Sequence, residues 1–190
     1  MRLTTVGLTG GIATGKSSVA ELWRARGAAV IDSDELAHQT LEPGTTTHDE
    51  VLKHFGTVDR RRLGEIVFND PQRRQELNSI IHPAVQQMWR ARLQALAGKA
   101  EVVVVMIPLL FEVGAEKEFD RVVAIGCSEQ TQLARLAAKG LTEPQARARI
   151  RAQLPVQQKL DRAQYAIWND GSRAALARQA EMIWGKLKEN

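Results

Sequence analysis

A chain of 190 residues with 44% hydrophobic and 25% charged residues is long enough to bury a core and has the balance of an ordinary soluble globular domain. The net charge of +4 comes with arginines spread along the chain, not packed in one block, which argues against a nucleic-acid-binding module and for an enzyme of polyanionic substrates. The single cysteine, Cys127, excludes an intrachain disulfide and reads as a small buried hydrophobe at a strand end.

The first predicted element is a short apolar strand over 3–9. It runs into Gly10-Gly11-Ile12-Ala13-Thr14-Gly15-Lys16-Ser17, which fits the phosphate-binding pattern G-x-x-x-x-G-K-[ST]. A helix over 17–26 follows, with Val19, Ala20, Leu22 and Trp23 on its apolar face. The glycines let the backbone approach a phosphate closely, and successive N–H groups with the helix N-terminus supply positive charge. Lys16 reaches the β- and γ-phosphates of ATP, Ser17 offers a hydroxyl to Mg²⁺, and Ser18 is grouped with these ATP-binding residues.

Gly27 stops the helix, and a second strand over 28–31 ends in Asp32-Ser33-Asp34. Two carboxylates beyond a strand's carboxyl end lie where open α/β sheets bind ligands. The competing role is capping, by Ser33 or Asp34, of a helix starting near Glu35. From 35 to 98 strand signals vanish. Helical spacing covers 49–55, 62–68 and 71–81, His82-Pro83 predicts a break, and a further helix runs over 83–96. So much helix between two strands predicts an inserted substrate-covering subdomain.

A fully apolar strand over 102–107 reads as the centre of a parallel sheet. Pro108-Leu109-Leu110-Phe111-Glu112 turns out of it, and a fourth strand covers 121–127. Helices follow from Ser128 to 139, from 142 to 154 with Arg147, Arg149 and Arg151, and over 155–163. The last strand is 165–168, then comes an Asn169-Asp170-Gly171 turn, and Ser172 caps a closing helix. The four tryptophans, 23, 89, 168 and 184, read as packing residues. The longest apolar run, 102–110, is too short to span a bilayer, and Met1-Arg2-Leu3 enters the first strand directly, so a cytoplasmic protein is expected.

Five strands alternating with helices behind a phosphate loop predict an α/β P-loop fold: a parallel sheet with helices on both faces. No Asp has Gly three residues later and N-K-x-D is absent, which argues against a GTPase. The central strand ends in Met106-Ile107-Pro108 with no carboxylate, unlike most motor and transporter ATPases. A small-molecule kinase with a substrate subdomain and a basic lid remains.

The sequence resembles the dephospho-CoA kinase family along essentially its whole length. The resemblance is carried by Leu8-Thr9-Gly10-Gly11-Ile12 running into Gly15-Lys16-Ser17, by Asp32-Ser33-Asp34, and by Arg62-Leu63-Gly64 with Val67-Phe68. Ile81-His82-Pro83, Pro108-Leu109-Leu110-Phe111-Glu112, Ala148-Arg149-Ile150 with Gln153, and Ile167, Asn169 and Gly171 complete it. It implies a P-loop kinase fold and ATP-dependent phosphorylation of the ribose 3′-hydroxyl of dephospho-CoA, with Mg²⁺ as cofactor. It also implies a nucleotide core (about 1–36, 100–138 and 163–190), a helical CoA-binding subdomain (about 37–99) and a lid (about 139–162).

By strand-end position and by the resemblance, Asp34 orients and deprotonates the hydroxyl, with Asp32 near the metal. The resemblance selects Arg135 and Arg149 for the phosphates, and His82 for substrate binding. Phe111 and Leu110 are expected to pack on the acceptor, with core packing the competing role for Leu110. Asn169 and Gly171 are expected near the adenine. The sequence departs from the family's usual residues at His38, Met106, Lys139 and Gln164.

Overall fold

The computed structural model describes residues 3–189, and at 68 and 69 the backbone alone. The opening Met1-Arg2 of the sequence reading lies outside the described residues. Contacts divide the chain into two compact units, Met1–Ile31 with Leu96–Asn190, and Asp32–Ala95.

The first unit is built on a five-stranded sheet of β1 (Thr4–Gly10), β2 (Ala29–Asp32), β3 (Val102–Met106), β4 (Arg121–Gly126) and β5 (Tyr165–Trp168), in the order β2-β3-β1-β4-β5. β1 pairs in parallel with β3 and β4, and β4 with β5. The apolar strands form the interior because both of their faces are covered. Val6 and Leu8 of β1, Val102, Val104 and Met106 of β3, and Val123 and Ile125 of β4 turn to one face. There they meet Val19, Ala20 and Trp23 of α1 (Lys16–Arg24) and Leu176, Ala180, Ile183, Trp184 and Leu187 of α9 (Arg173–Lys188). Trp23 stacks on Trp184 at 6.3 Å between ring centroids and donates its indole N–H to the Ala180 carbonyl at 2.9 Å. The alternate residues turn to the opposite face. At Gly7 an added Cβ would come within 2.9 Å of the Phe119 ring, so glycine lets that ring and Leu110 lie on the strand.

Three of the expected packing tryptophans are buried. Trp168 is the exception, 47% exposed at the end of β5, the edge strand of the sheet. Gln164 accepts the Val122 N–H at 3.1 Å, so its amide oxygen supplies an acceptor at the start of β4.

Between β4 and β5 the chain forms α6 (Glu129–Ala137), α7 (Glu143–Arg151) and α8 (Val156–Arg162). Ser128 caps α6 by accepting the Thr131 N–H, and Ser172 caps α9 by accepting the Ala175 N–H. A 3₁₀ turn at Ala115–Glu118, unforeseen in the sequence, precedes β4.

The second unit is helical: α2 (Ser33–Thr40), α3 (Thr46–Phe55), α4 (Arg60–Asn69) and α5 (Pro71–Leu96). Val51, Phe55, Leu63, Val67 and Leu77 make its core, flanked by Ile66, Ile80 and Ile81. Thr45, Asp59 and Asp70 cap α3, α4 and α5 through their side-chain oxygens. The cap of α2 is neither Ser33 nor Asp34. It is Asp32, whose carboxylate accepts the Asp34 N–H at 2.9 Å, because Asp32 is the last residue with extended backbone. The expected break at His82-Pro83 is also absent, and α5 runs through Pro83. Proline removes one helical hydrogen bond, and here the burial of Leu77, Val85 and Trp89 along the helix offsets that loss.

Candidate active site

The phosphate loop connects β1 to α1, and its shape follows from a few residues. Gly10 has φ 146° and Gly15 φ 107°, both in the region that favours glycine. A Cβ at Gly10 would strike the Ile125 carbonyl, and one at Gly15 the Asn169 amide. Ala13 is the sole non-glycine among the described residues with positive φ, at 59°. Left-handed backbone at such a residue costs about 1–2 kcal/mol, so the surroundings must hold it.

Those surroundings are side chains from three separate elements. Arg135 of α6 donates to the Ala13 carbonyl at 3.0 Å and, with its other terminal nitrogen, to the Asn169 carbonyl at 2.9 Å. Asn169, past the end of β5, donates its side-chain amide to the Thr14 carbonyl at 2.8 Å. Gln132 of α6 donates to the Ile12 carbonyl at 2.7 Å, and the Gln153 side-chain oxygen accepts the Ile12 N–H at 2.8 Å. Thr14, Gln132 and Asn169 are all buried. These bonds engage the carbonyls of Ile12, Ala13 and Thr14 and the N–H of Ile12, and so fix the shape of the loop.

Gly15 stands at the N-cap of α1 and no side chain caps that helix. The N–H groups of its first turn lack i−4 acceptors by helix geometry, and their positive end suits an anion. The Lys16 ammonium lies across the loop, donating to the carbonyls of Gly10 at 3.0 Å and Gly11 at 2.8 Å. Ser17 and Ser18 follow it, both exposed in that first turn.

The other predicted residues distribute as follows. Arg149 is half-buried in α7. Arg147 on the same helix is ion-paired with Glu143 and Glu129, in exposed positions where such pairs contribute little. Leu110 is fully buried and Phe111 nearly so, with the Arg162 guanidinium 4.4 Å over the Phe111 ring. Gly171 is exposed in the turn after β5. Beside it Asp170 accepts the Ser128 N–H at 3.0 Å. Burial raises the Asp170 pKa, but hydrogen bonds from Thr131, Ser128 and Trp168 outweigh this and hold its carboxyl below the usual range. Burial also raises the Cys127 thiol, whose place is that of a packed apolar side chain. In the helical unit Asp34 is exposed near the start of α2, and His82 is half-buried in α5, where burial lowers its pKa.

Gln132 and Lys159 were not singled out from the sequence. Neither sits in a local pattern: a glutamine and a lysine at helical positions read as solvated until the fold buries them.

A parallel five-stranded α/β sheet with a glycine-rich loop leading into an uncapped helix defines a P-loop kinase fold. The structure of shikimate kinase from Bacteroides thetaiotaomicron matches it with a TM-score of 0.53 at 15% identity over 97% of this chain and 98% of that one, a likeness of fold alone. The dephospho-CoA kinase family model matches residues 4–175, and the chain belongs to that family. The dephospho-CoA kinase of Geobacillus kaustophilus is 43% identical, over 97% of this chain and 98% of its own length. The crystal structure of TT1252 from Thermus thermophilus superposes with a TM-score of 0.83 at 34% identity, over 98% of this chain and 99% of that one.

Proposed function

We propose that the chain transfers the γ-phosphoryl group of ATP to the ribose 3′-hydroxyl of dephospho-CoA, giving CoA and ADP in the last step of coenzyme A synthesis. The observation that carries this reading is the phosphate loop at an uncapped helix N-terminus, shaped by Arg135, Gln132, Gln153 and Asn169, in a chain of the dephospho-CoA kinase family.

Phosphoryl transfer asks little covalent chemistry of the protein and much positioning and charge stabilisation. In our reading the 3′-oxygen attacks the γ-phosphorus, the bond from that phosphorus to the β,γ-bridging oxygen breaks, and its electron pair leaves with ADP. The hydroxyl proton passes to the Asp34 carboxylate. The phosphate loop, residues 10–17, holds the phosphates, with Ser18 beside it, and Lys16 neutralises charge on the transferring group. Arg135 keeps Ala13 in its left-handed turn. Arg149 is assigned to the phosphates, Asn169 and Gly171 to the nucleotide, and His82 and Phe111 to the acceptor; Leu110, fully buried against β1 at Gly7, takes the core-packing role instead.

Mg²⁺ bound with ATP supplies charge neutralisation at the phosphates. The donors present fit an ion carried largely by the nucleotide: Ser17 offers one exposed hydroxyl, and among the described residues no cluster of three or more His, Cys, Asp or Glu stands ready for a metal. We assign substrate binding to the helical segment 37–99 and lid closure to 139–162. Within the latter we assign closure to α7, since α8 buries Lys159 and packs Val156 and Leu160 by Gly126. No helix among the described residues is long and apolar enough to cross a membrane.

The test is ADP release from Mg²⁺-ATP with dephospho-CoA, run beside AMP, CMP and adenosine, with the product identified by mass. CoA formed in strong preference supports the reading. Turnover with a nucleoside or nucleotide alone overturns it.

A further inference from the structure

Lys159 of α8 takes no part in the chemistry above, yet it is fully buried. Its ammonium donates to the Pro108 carbonyl at 2.6 Å and pairs with the Glu112 carboxylate at 2.7 Å. Both acceptors are shared. The Pro108 carbonyl also accepts the hydroxyl of Thr9, the residue before the phosphate loop, at 3.2 Å. The Glu112 oxygen also accepts the Leu154 N–H at 2.9 Å. Next to Leu154 is Gln153, which holds the Ile12 amide. The helix carrying Lys159 lies close against the loop: a Cβ at Gly11 would come within 2.7 Å of Val156, and one at Gly126 within 2.8 Å of Leu160.

These bonds close a circuit. It runs from Thr9 to Pro108 at the carboxyl end of β3, through Lys159 to Glu112 and Leu154, and back by Gln153 to Ile12. Inside it lies the segment with Leu110 and Phe111. Burial disfavours the charged lysine, and a buried ion pair is on average no more stabilising than a well-packed apolar pair of similar volume. Stability alone is therefore a weak reason for this pair, whereas a charged hydrogen-bonded node fixes direction and distance as methylene groups do not.

We propose that Lys159, with Glu112, is a positioning residue for phosphoryl transfer, holding the 108–112 segment in register with the phosphate loop. This rests on the reading that ATP binds that loop and that the acceptor lies by Phe111. A misplacement of about 1 Å between reactants costs on the order of 100-fold in rate, so loosening the circuit acts on kcat before it acts on binding.

The experiment compares wild type, Lys159→Met, and Lys159→Met with Glu112→Gln. The single variant leaves a buried carboxylate without its cation and is expected to lower Tm or fail to fold. The double variant removes both charges at similar volume and is expected to recover a Tm near wild type. Its kcat with dephospho-CoA is expected to stay down by about 10- to 100-fold, with both KM values within about threefold of wild type. A folded double variant with wild-type kcat overturns the proposal, as does a loss confined to KM. A double variant that does not fold assigns the pair to stability and overturns it too. In each of those cases wild type still makes CoA. Wild type that makes none brings down the proposed function, and this inference with it.

Discussion

Asp34 and Arg135 illustrate how a single side chain is tied to its task. Asp34 follows β2 by two residues, and its own N–H is held by the Asp32 carboxylate, which sets the start of α2. Asn in its place keeps size and backbone but cannot accept a proton. Asp34→Asn is therefore expected to lower kcat by about 10²- to 10⁴-fold. Affinity for ATP, read with a fluorescent analogue, should stay within about twofold. Near-normal turnover would remove Asp34 from proton transfer. Arg135 reaches two carbonyls with two terminal nitrogens held apart by its planar guanidinium, whereas a lysine there would have to reach both from one atom on a different stem. Arg135→Lys should lower kcat/KM for ATP by roughly 10-fold or more, as loss of one charge-assisted hydrogen bond implies. If steady-state kinetics show no change, the left-handed turn at Ala13 is held without the fork.

At the scale of elements, α5 is the instructive case. It contains Pro83, exposed on its surface, in the middle of a helix of 26 residues. Since the ring is exposed, replacing it loses little packing, while Ala restores a backbone donor and better helix propensity. Pro83→Ala is expected to stabilise the chain by roughly 2–2.5 kcal/mol, after subtracting the entropy that proline removes from the unfolded state. Urea denaturation checks this, and a destabilised variant would show that the helix depends on a bend at that point. The rule that disfavours helix before proline is a local steric preference of a few kcal/mol at most, and the apolar residues on either side of Pro83 override it. In contrast α3 and α4 start within three residues of where helical spacing places them, because Thr45 and Asp59 supply caps that local sequence can show.

For the molecule as a whole, nucleotide binding and stability are one equilibrium. ATP with Mg²⁺ at 100 times its Kd should add about 2.7 kcal/mol. For a chain of this size that is a rise in Tm of roughly 5–10 °C, measurable by scanning fluorimetry. No shift would mean that the loop does not hold the nucleotide.

The strands, the phosphate loop, the parallel sheet and the long helical insert were legible because each is a local pattern: apolar runs, glycines at fixed spacing, caps. By itself the sequence determined the fold class, the family and the glycine-rich loop between β1 and α1. Tertiary structure alone decided that Ala13 is left-handed, that Arg135 grips carbonyls of the loop and of the β5 end, and that Lys159 is buried against Glu112. Those facts depend on residues more than thirty positions apart meeting across β1, β3, β4 and β5. Helical spacing around a lone lysine or glutamine carries no trace of such a partner, since the pairing arises only when the sheet brings the strand ends together.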